Sequence, residues 1–455
     1  MIPLHIGVDD TDSMRSGCTT YVAALLVERL SILGGCFLDY PNIIRLNPNV
    51  PWKTRGNAAT CLRVNISEDI VDAVIDEVIE VIEEESDLNF PRTDPGIVFF
   101  SKKEIPSEIR DFARRTIQDV VKKSEALKLI KRFGAEAVGF KGGRGIIGAL
   151  AAIGETLNED HTYELIAYRT RGNRGSPRRV DAESVFQMDE ETRGLTFNNI
   201  DHEKRRVLIT PRGRDPVLLG IRGENPSAVK RACGMIKVNE EVERWVIFRT
   251  NQGTDAHLHR EEGIDQIRPY RPVIVTGSLV EEPRMIPGRH MIFTIGNETG
   301  KIDCAAYEPT GKFRNIIKKL TIGDLVEVYG GIRPASPKNP MTINLEKIRI
   351  LNLVPKTSLS NPSCKICGRH MESMGRNKGF RCKKCGNKER KAERMVVPVQ
   401  RNLNEGLYLP PPRAHRHLTK PLSRYGLEKR SLENFVPTDF WGLGAPHFST
   451  TYNST

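Results

Sequence analysis

The chain opens on a short apolar run, residues 2–9, that ends in carboxylates, and apolar positions then recur at helical spacing over residues 20–33, with Val22, Leu26, Leu30 and Leu33 on one face. The pattern predicts a buried strand, an acidic loop and a helix. Residues 69–85 place Val71, Val74, Val78 and Val81 on one face opposite a row of carboxylates, which predicts a surface helix packed on a sheet. A third helix is predicted over residues 105–133, with Pro106 suited to its start. A further apolar helix rich in small residues follows Gly145. Between these lie two loops, NVPWKTRGNAAT with Lys53 and Arg55, and RTDPGIVFF with Asp94, Pro95 and Gly96, each compatible with ligand contact and each explicable as a turn.

From residue 271 the period changes. Five strand-like runs, RPVIVTGSLVEEP, HMIFTIGN, KIDCAAYEP, GDLVEVYGGIRP and MTINLEKIRIL, alternate or are wholly apolar, and a helical spacing of Phe313, Ile316, Ile317 and Leu320 separates the third from the fourth. That order is the order of an OB-fold, a barrel that favours single-stranded nucleic acid and tRNA; a small barrel of another type fits the pattern as well.

Composition adds scale and charge. A chain of 455 residues exceeds what one core organises, so two to four domains are expected. The longest uncharged apolar run, Ile146–Gly154, is far too short to cross a membrane, and the N-terminus lacks the pattern of a secretory signal, so a cytoplasmic protein without a membrane segment is expected. A formal net charge of +12 favours a polyanionic partner such as nucleic acid.

Nine cysteines fall into two groups. Cys18, Cys36, Cys61, Cys233 and Cys304 are scattered through patterned segments and read as buried, reduced thiols. Cys364, Cys367, Cys382 and Cys385 form two C-x-x-C knuckles, each followed by glycine, at the spacing of a zinc ribbon. They are the candidate structural Zn2+ ligands; two disulfides are the competing reading. Beyond them, a stretch rich in Lys, Arg, His and Pro lacks periodicity. It reads either as a solvated tail or as an arm that orders on RNA, with Arg413, Arg416 and Lys420 on phosphates and Tyr408 or Tyr425 stacking on bases. Residues 439–455 read as disordered apart from Phe440 and Trp441.

Two segments of the first half carry candidate chemistry. Asp9, Asp10 and Asp12 crowd one loop beside Thr19 and Thr20. Grouped carboxylates repel unless a divalent cation lies among them, and Mg2+ with nucleotide phosphates supplies that charge. Thr19, at the start of a helix, is then placed to accept a phosphoryl group; a turn residue and a helix cap explain the same residues without chemistry. In FKGGRGIIGALAAIG, Gly142, Gly143 and Gly145 permit close backbone approach while Lys141 and Arg144 add cations, so the loop reads as a phosphate site or as a tight turn before a closely packed helix.

The runs GVDDTDSMRSGCTTYVAALLVERL, RLNPNVPWKTRGNAA, KGGRGIIGALAAIG, FRTNQGTDAHL and YLPPPRAHRHLTKP, together with the OB-like block and the paired knuckles, occur in an order that resembles the archaeal tRNA-isoleucine 2-agmatinylcytidine synthetases from about residue 4 to residue 425. The resemblance implies a multidomain α/β and α+β chain: a kinase-like catalytic domain over 1–195, within which a ferredoxin-like portion interleaves from about residue 60, a ferredoxin-like remainder over 196–265, an OB-fold over 272–352, a zinc ribbon over 360–392 and a basic C-terminal tail over 393–455. It implies an ATP-dependent ligase that activates the 2-oxo group of the wobble cytidine in the CAU anticodon of minor isoleucine tRNA by phosphorylation and joins agmatine at C2, so that the anticodon reads AUA. ATP, Mg2+ and Zn2+ are the cofactors, and tRNA and agmatine the partners. Residue by residue, it gives Asp9, Asp10, Asp12 and Thr19 catalytic roles, Thr19 as an autophosphorylation site and Asp9 and Asp12 as Mg2+ ligands, and it puts Lys141, Gly142, Gly143, Arg144 and Gly145 near ATP. A non-enzymatic RNA-binding factor and a nucleotide-dependent ligase acting on another polyanion are the alternatives.

Overall fold

The computed structural model describes residues 1–430 and 437–446. Its first 250 residues build one mixed sheet around which the helices are layered. The strands are β1 (Ile2–Asp9), β2 (Asn42–Arg45), β3 (Ala58–Ile66), β4 (Gly96–Phe100), β5 (Glu136–Gly139), β6 (Thr162–Arg169), β7 (Val217–Gly223) and β8 (Val242–Thr250). Their spatial order is β5-β4-β1-β3-β2-β8-β6-β7. Every pairing is antiparallel except the one joining the two halves, where Asn42 and Ile43 of β2 run parallel to Arg249 and Thr250 of β8. Two α/β units thereby share one continuous sheet.

Alternation along the strands sorts the core into two faces. Leu4, Ile6 and Val8 of β1 and Leu62, Val64 and Ile66 of β3 face α1 (Thr19–Ile32) and α2 (Val71–Glu85), in a cluster that continues beneath α6 (Ala182–Glu191) and α7 (Pro226–Gly234). Ala59 and Cys61 of β3, with Val98 and Phe100 of β4, face the opposite way onto α3 (Ser107–Gln118), α4 (Lys123–Phe133) and α5 (Ile146–Gly154). The single helix expected over 105–133 is therefore two. Asp119 leaves the helical region at φ −144°, its carboxylate accepts the N–H of Val120, and two β-branched residues follow before the chain restarts at Lys123.

Residues 273–352 form the expected closed barrel: β9 (Val273–Ile286), β10 (His290–Asn297), β11 (Gly300–Ala306), α8 (Phe313–Ile317), β12 (Leu325–Arg333) and β13 (Thr342–Asn352). Closure comes from β9 pairing with β12 as well as with β10. A two-stranded stem, β14 (Lys356–Ser360) with β15 (Met395–Val399), carries the four-cysteine unit.

The basic C-terminal segment departs from both readings of it. β16 (Gly406–Tyr408) adds to the barrel on β13, and residues 410–430 strap the barrel to the sheet. Arg413 pairs with Asp201 at 2.5 Å, Arg416 with Glu346 at 3.1 Å and Lys420 with Asp160 at 3.2 Å, while Arg424 is buried between Asp160 and Glu224. The reason is charge complementarity: the body presents carboxylates along this path, so these cations are neutralised by protein. The disorder expected from residue 439 is also corrected as far as 446, because β17 (Trp441–Leu443) pairs with β8 and Phe440 stacks edge-on against Phe37 and Tyr40. Residues 447–455, part of the same expectation, lie outside the described residues. Of the scattered thiols, Cys61, Cys233 and Cys304 are buried as expected and Cys18 is partly so, whereas Cys36 is exposed at the sheet edge. Among the described residues no helix is long and apolar enough to cross a membrane.

Candidate active site

A cavity of about 380 Å³ opens where the two α/β units meet. Asp9, the last residue of β1, Asp10, Asp12, Thr19 and Thr20 all line it. Asp10 holds a left-handed backbone, φ 61°, which turns the chain sharply at the strand end and lets its own N–H donate to Asp9 Oδ1 at 2.7 Å. Arg144 donates to Asp10 at 2.6 Å, and Arg55 donates to Asp12 at 2.9 Å while also approaching Asp215 at 3.3 Å. Among the described residues no guanidinium or ammonium contacts Asp9, which feels Arg144 only at a distance. Burial raises its carboxyl well above the ordinary range, and the neighbouring Asp10 pushes it further. Burial raises Asp10 as well, to about 6 against the pull of Arg144, and raises Asp12 against the pull of Arg55.

Thr19 is the first residue of α1, with Cys18 rather than a threonine at the cap position. Its hydroxyl is buried and accepts a hydrogen bond from Thr11 Oγ1 at 3.1 Å. As first-turn residues, Thr19 and Thr20 have N–H groups with no intrahelical acceptor, on a helix end that borders the cavity.

Of the five residues in the glycine-rich segment, Arg144 alone lines the cavity. The Lys141 ammonium donates to the carbonyls of Phe90 and Thr93 at 2.7 and 2.9 Å. Asp94 organises the turn, accepting from Gly142 N–H on its side chain at 3.0 Å and from Gly145 N–H on its carbonyl at 2.9 Å. Gly145 and Gly148 permit contact between α5 and β1: a Cβ at 145 would lie 2.5 Å from the Asp9 carbonyl oxygen, and one at 148 would lie 1.9 Å from Asp9 Oδ2. The same segment thus seats β1 and delivers one guanidinium to the acidic loop.

The opposite wall comes largely from residues without a local sequence signal. Glu164 on β6 accepts from Arg222 on β7 at 3.1 Å, and Gln252 donates to the same carboxylate. His417 arrives from the C-terminal strap and places Nδ1 3.0 Å from Arg222 Nη2 and 3.1 Å from Gln252 Oε1. Glu164, Asp215 and Arg222 lie on strands or in a loop where nothing but pairing brings them together. His417 and Arg55 had a signal, a run of basic and imidazole side chains in otherwise aperiodic stretches.

In the ribbon, Cys364 and Cys385 place their sulfurs 3.5 Å apart, and Cys367 and Cys382 3.4 Å apart. All four lie within 4.8 Å of one another. A tetrahedral Zn2+ with bonds near 2.3 Å sets its sulfurs about 3.8 Å apart, so the donor set and spacing fit that ion. The segment between the knuckles seats Met371 and Phe380 against the cysteines as a small core.

A barrel and a ribbon of the nucleic-acid-binding kind, fastened to an acidic cavity edged with guanidinium groups, define a multidomain RNA-handling protein with a phosphate-chemistry site. Comparison with known proteins gives the family. The TiaS TCKD domain matches residues 5–142, the TiaS FLD domain 143–257, an OB-fold nucleic acid binding domain 270–351 and the TiaS C-terminal zinc ribbon domain 361–403. The tRNA(Ile2) 2-agmatinylcytidine synthetase TiaS of Pyrococcus horikoshii is 45% identical over 92% of this chain and 96% of its own, and that of Archaeoglobus fulgidus 44% identical over 94% and 99%. Among solved structures, apo TiaS superimposes with a TM-score of 0.85 at 43% identity, and a TiaS–tRNA(Ile2)–AMPCPP–agmatine complex with 0.82 at 40%, each covering 93% of this chain and 98% of the other. The chain belongs to the TiaS family of tRNA(Ile2) 2-agmatinylcytidine synthetases.

Proposed function

We infer that this protein is an ATP-dependent carbon–nitrogen ligase that joins agmatine to C2 of the wobble cytidine of tRNA(Ile2). The observation that carries the reading is one cavity, shared by the acidic loop, Thr19 and the second α/β unit, in a chain whose family relatives are solved with tRNA(Ile2), an ATP analogue and agmatine. Acting on tRNA, it works in the cytoplasm. A purely RNA-binding factor would have no use for three carboxylates raised in pKa by their surroundings beside a helix N-terminus.

The chemistry follows from the 2-oxygen being a poor leaving group. A phosphoryl group from ATP is transferred to that oxygen; the agmatine amine then attacks C2, the C2–O bond breaks, inorganic phosphate departs and the amine loses its proton. Thr19 is the hydroxyl placed to receive a phosphoryl group. Arg144 and Arg55 hold Asp10 and Asp12 in place and offset charge on the transferring group. The Asp9 carboxylate, which no cation among the described residues contacts, and Asp12 fit a Mg2+ ion, which binds through one or two carboxylates plus substrate phosphates. That ion would supply charge neutralisation at the phosphates. Lys141 to Gly145 contribute Arg144 directly and the rest as the turn that fixes it. The cytidine must leave the anticodon stack to enter, and Trp52, 44% exposed at the cavity, offers a ring for the extruded base. Zn2+ in the ribbon is structural, holding a tRNA-contacting unit.

The test is mass spectrometry of the wobble nucleoside after incubation with tRNA(Ile2), ATP, Mg2+ and agmatine, with each omitted in turn. A mass gain that requires both ATP and agmatine is expected. Unmodified cytidine in the presence of tight tRNA binding overturns the reading.

A further inference from the structure

Off the main cavity lies a second recess of about 290 Å³. Arg45, Lys53, Arg55, Arg416 and His417 line it, and no carboxylate does. Three separate parts of the chain supply these groups: the end of β2, the loop before β3 and the C-terminal strap. The recess and the cavity share Arg45, Lys53, Arg55 and His417, so a ligand can bridge them.

The cations differ in how far protein already satisfies them. Arg55 is committed to Asp12, Asp215 and the Gly17 carbonyl, and Arg416 to Glu346 and the Pro48 carbonyl. Among the described residues Lys53 donates only to the Arg55 carbonyl, at 3.1 Å, and has no carboxylate partner. Arg45 is half-buried, its Nε has no acceptor among the described residues, and the carboxylate near it, Glu164 at 3.9 Å, is shared with Arg222. Two cations, Arg45 and Arg222, thus share a single carboxylate, Glu164.

His417 adds a neutral imidazole. Its Nδ1 meets two groups of opposite character, the Arg222 guanidinium at 3.0 Å, which can only donate, and the Gln252 side-chain oxygen at 3.1 Å, which can only accept, so either ring nitrogen can carry the proton. Burial, with Arg45 and Arg222 nearby, holds the ring well below its ordinary pKa, and it stays neutral. Nε2 has no hydrogen-bond partner among the described residues. Gly56 keeps the space in front of it open, since a Cβ there would stand 2.7 Å from Arg45 Nη1 and 3.2 Å from His417 Nε2.

We propose that this recess is a phosphate-binding subsite, in which Lys53 and the Arg45 guanidinium grip the oxygens of one phosphate group and His417, bound in its Nε2-protonated tautomer, adds a third donor. Partly buried cations converging on a recess whose lining holds no carboxylate are the environment such an oxyanion needs. Two substrates carry that chemistry: the phosphodiester flanking the reacting cytidine and the polyphosphate of ATP. The proposal rests on the reading of the protein as a tRNA- and ATP-using ligase, and its test measures binding alone, so a protein that binds both but modifies nothing would fail that reading without touching this one.

The test compares the full-length protein with Lys53→Gln, Lys53→Arg and His417→Gln, titrating each with AMPCPP and, separately, with tRNA(Ile2) over a range of salt. If the site holds the RNA, Lys53→Gln lowers the slope of log affinity against log salt by about one, with AMPCPP affinity unchanged. If it holds the nucleotide, Lys53→Gln weakens AMPCPP about tenfold and leaves the tRNA slope alone. In either case Lys53→Arg restores the affected ligand and His417→Gln weakens the same one. Lys53→Gln and His417→Gln proteins with an unaltered melting transition and unaltered affinity for both ligands overturn the proposal.

Discussion

Gly148 and Asp9 sit so close that a Cβ at position 148 would lie 1.9 Å from Asp9 Oδ2. The carboxylate at the centre of the acidic loop is therefore located by the absence of a side chain on α5. Gly148→Ala must move either the helix or the carboxylate. Overpacking of this kind costs about 1–3 kcal/mol, and a displacement near 1 Å at a reacting group costs about a hundredfold in rate. The expected result is a folded protein with a modestly lower denaturation midpoint and turnover down by roughly two orders of magnitude. Unchanged turnover would show that Asp9 needs no fixed position.

The strap is held by a buried ion cluster. Arg424, 1% exposed, is clasped by Asp160 at 2.8 Å and Glu224 at 2.6 Å and donates to the Gly253 carbonyl at 2.6 Å. Arg424→Met strands two carboxylates, with Lys420 and Lys429 as their remaining partners, and should cost about 3–5 kcal/mol. Denaturant melts and limited proteolysis within residues 410–430 report it. Because His417 rides on the same strap, weakened substrate binding should accompany the loss.

Acid should loosen the same region. Burial holds His415 down at about 4, its Nε2 donating to the Pro410 carbonyl, and burial holds His161 down at about 4. Their folded pKa values lie below the unfolded value of about 6.5, so the unfolded chain binds more protons between the two. Stability from these rings is complete above pH 6.5 and is lost as pH falls toward 4, at about 1.4 kcal/mol per unit for each ring. A melting temperature followed from pH 7.5 to 4.5 should fall, and His415→Gln should make the fall shallower by up to one proton.

How far the chain could be read in advance depends on whether a feature is local. The barrel, the knuckles and the strand–acid–helix start of the chain are periodicities or fixed spacings, and each appears where the pattern places it. The join at Asn42 and Arg249 is a long-range parallel pairing that no period encodes. Glu164 and Arg222 become neighbours only through the β6–β7 register. The strap was hidden for a different reason: its Arg and Lys residues are an excess of charge in sequence, and only the folded body shows the carboxylates they meet. The break at Asp119 has no mark in the pattern because the apolar spacing continues through it.

Removing a zinc ligand tests the ribbon. Its core is four sulfurs with Met371 and Phe380, too little apolar surface to hold a fold without the metal. Cys382→Ser should release zinc in a metal assay and weaken tRNA(Ile2) binding, while the melting transition of the remaining domains stays in place. Full zinc content in the variant would refute the ligand assignment.

Thr19 separates chemistry from packing most directly. Its hydroxyl accepts from Thr11, which is wholly buried, so Thr19→Val keeps the volume and leaves the Thr11 hydroxyl without an acceptor, at a cost of about 1–3 kcal/mol. Stability alone therefore cannot diagnose its role, and Thr11→Val supplies the control, since it breaks the same hydrogen bond while keeping the Thr19 hydroxyl. With labelled ATP, Thr11→Val should still take up phosphate on the protein and Thr19→Val should not, and both should bind tRNA(Ile2) within about twofold of the unaltered protein. Equal labelling of the two variants would reduce Thr19 to a buried helix-start residue and shift the search for the phosphoryl acceptor to the cytidine alone.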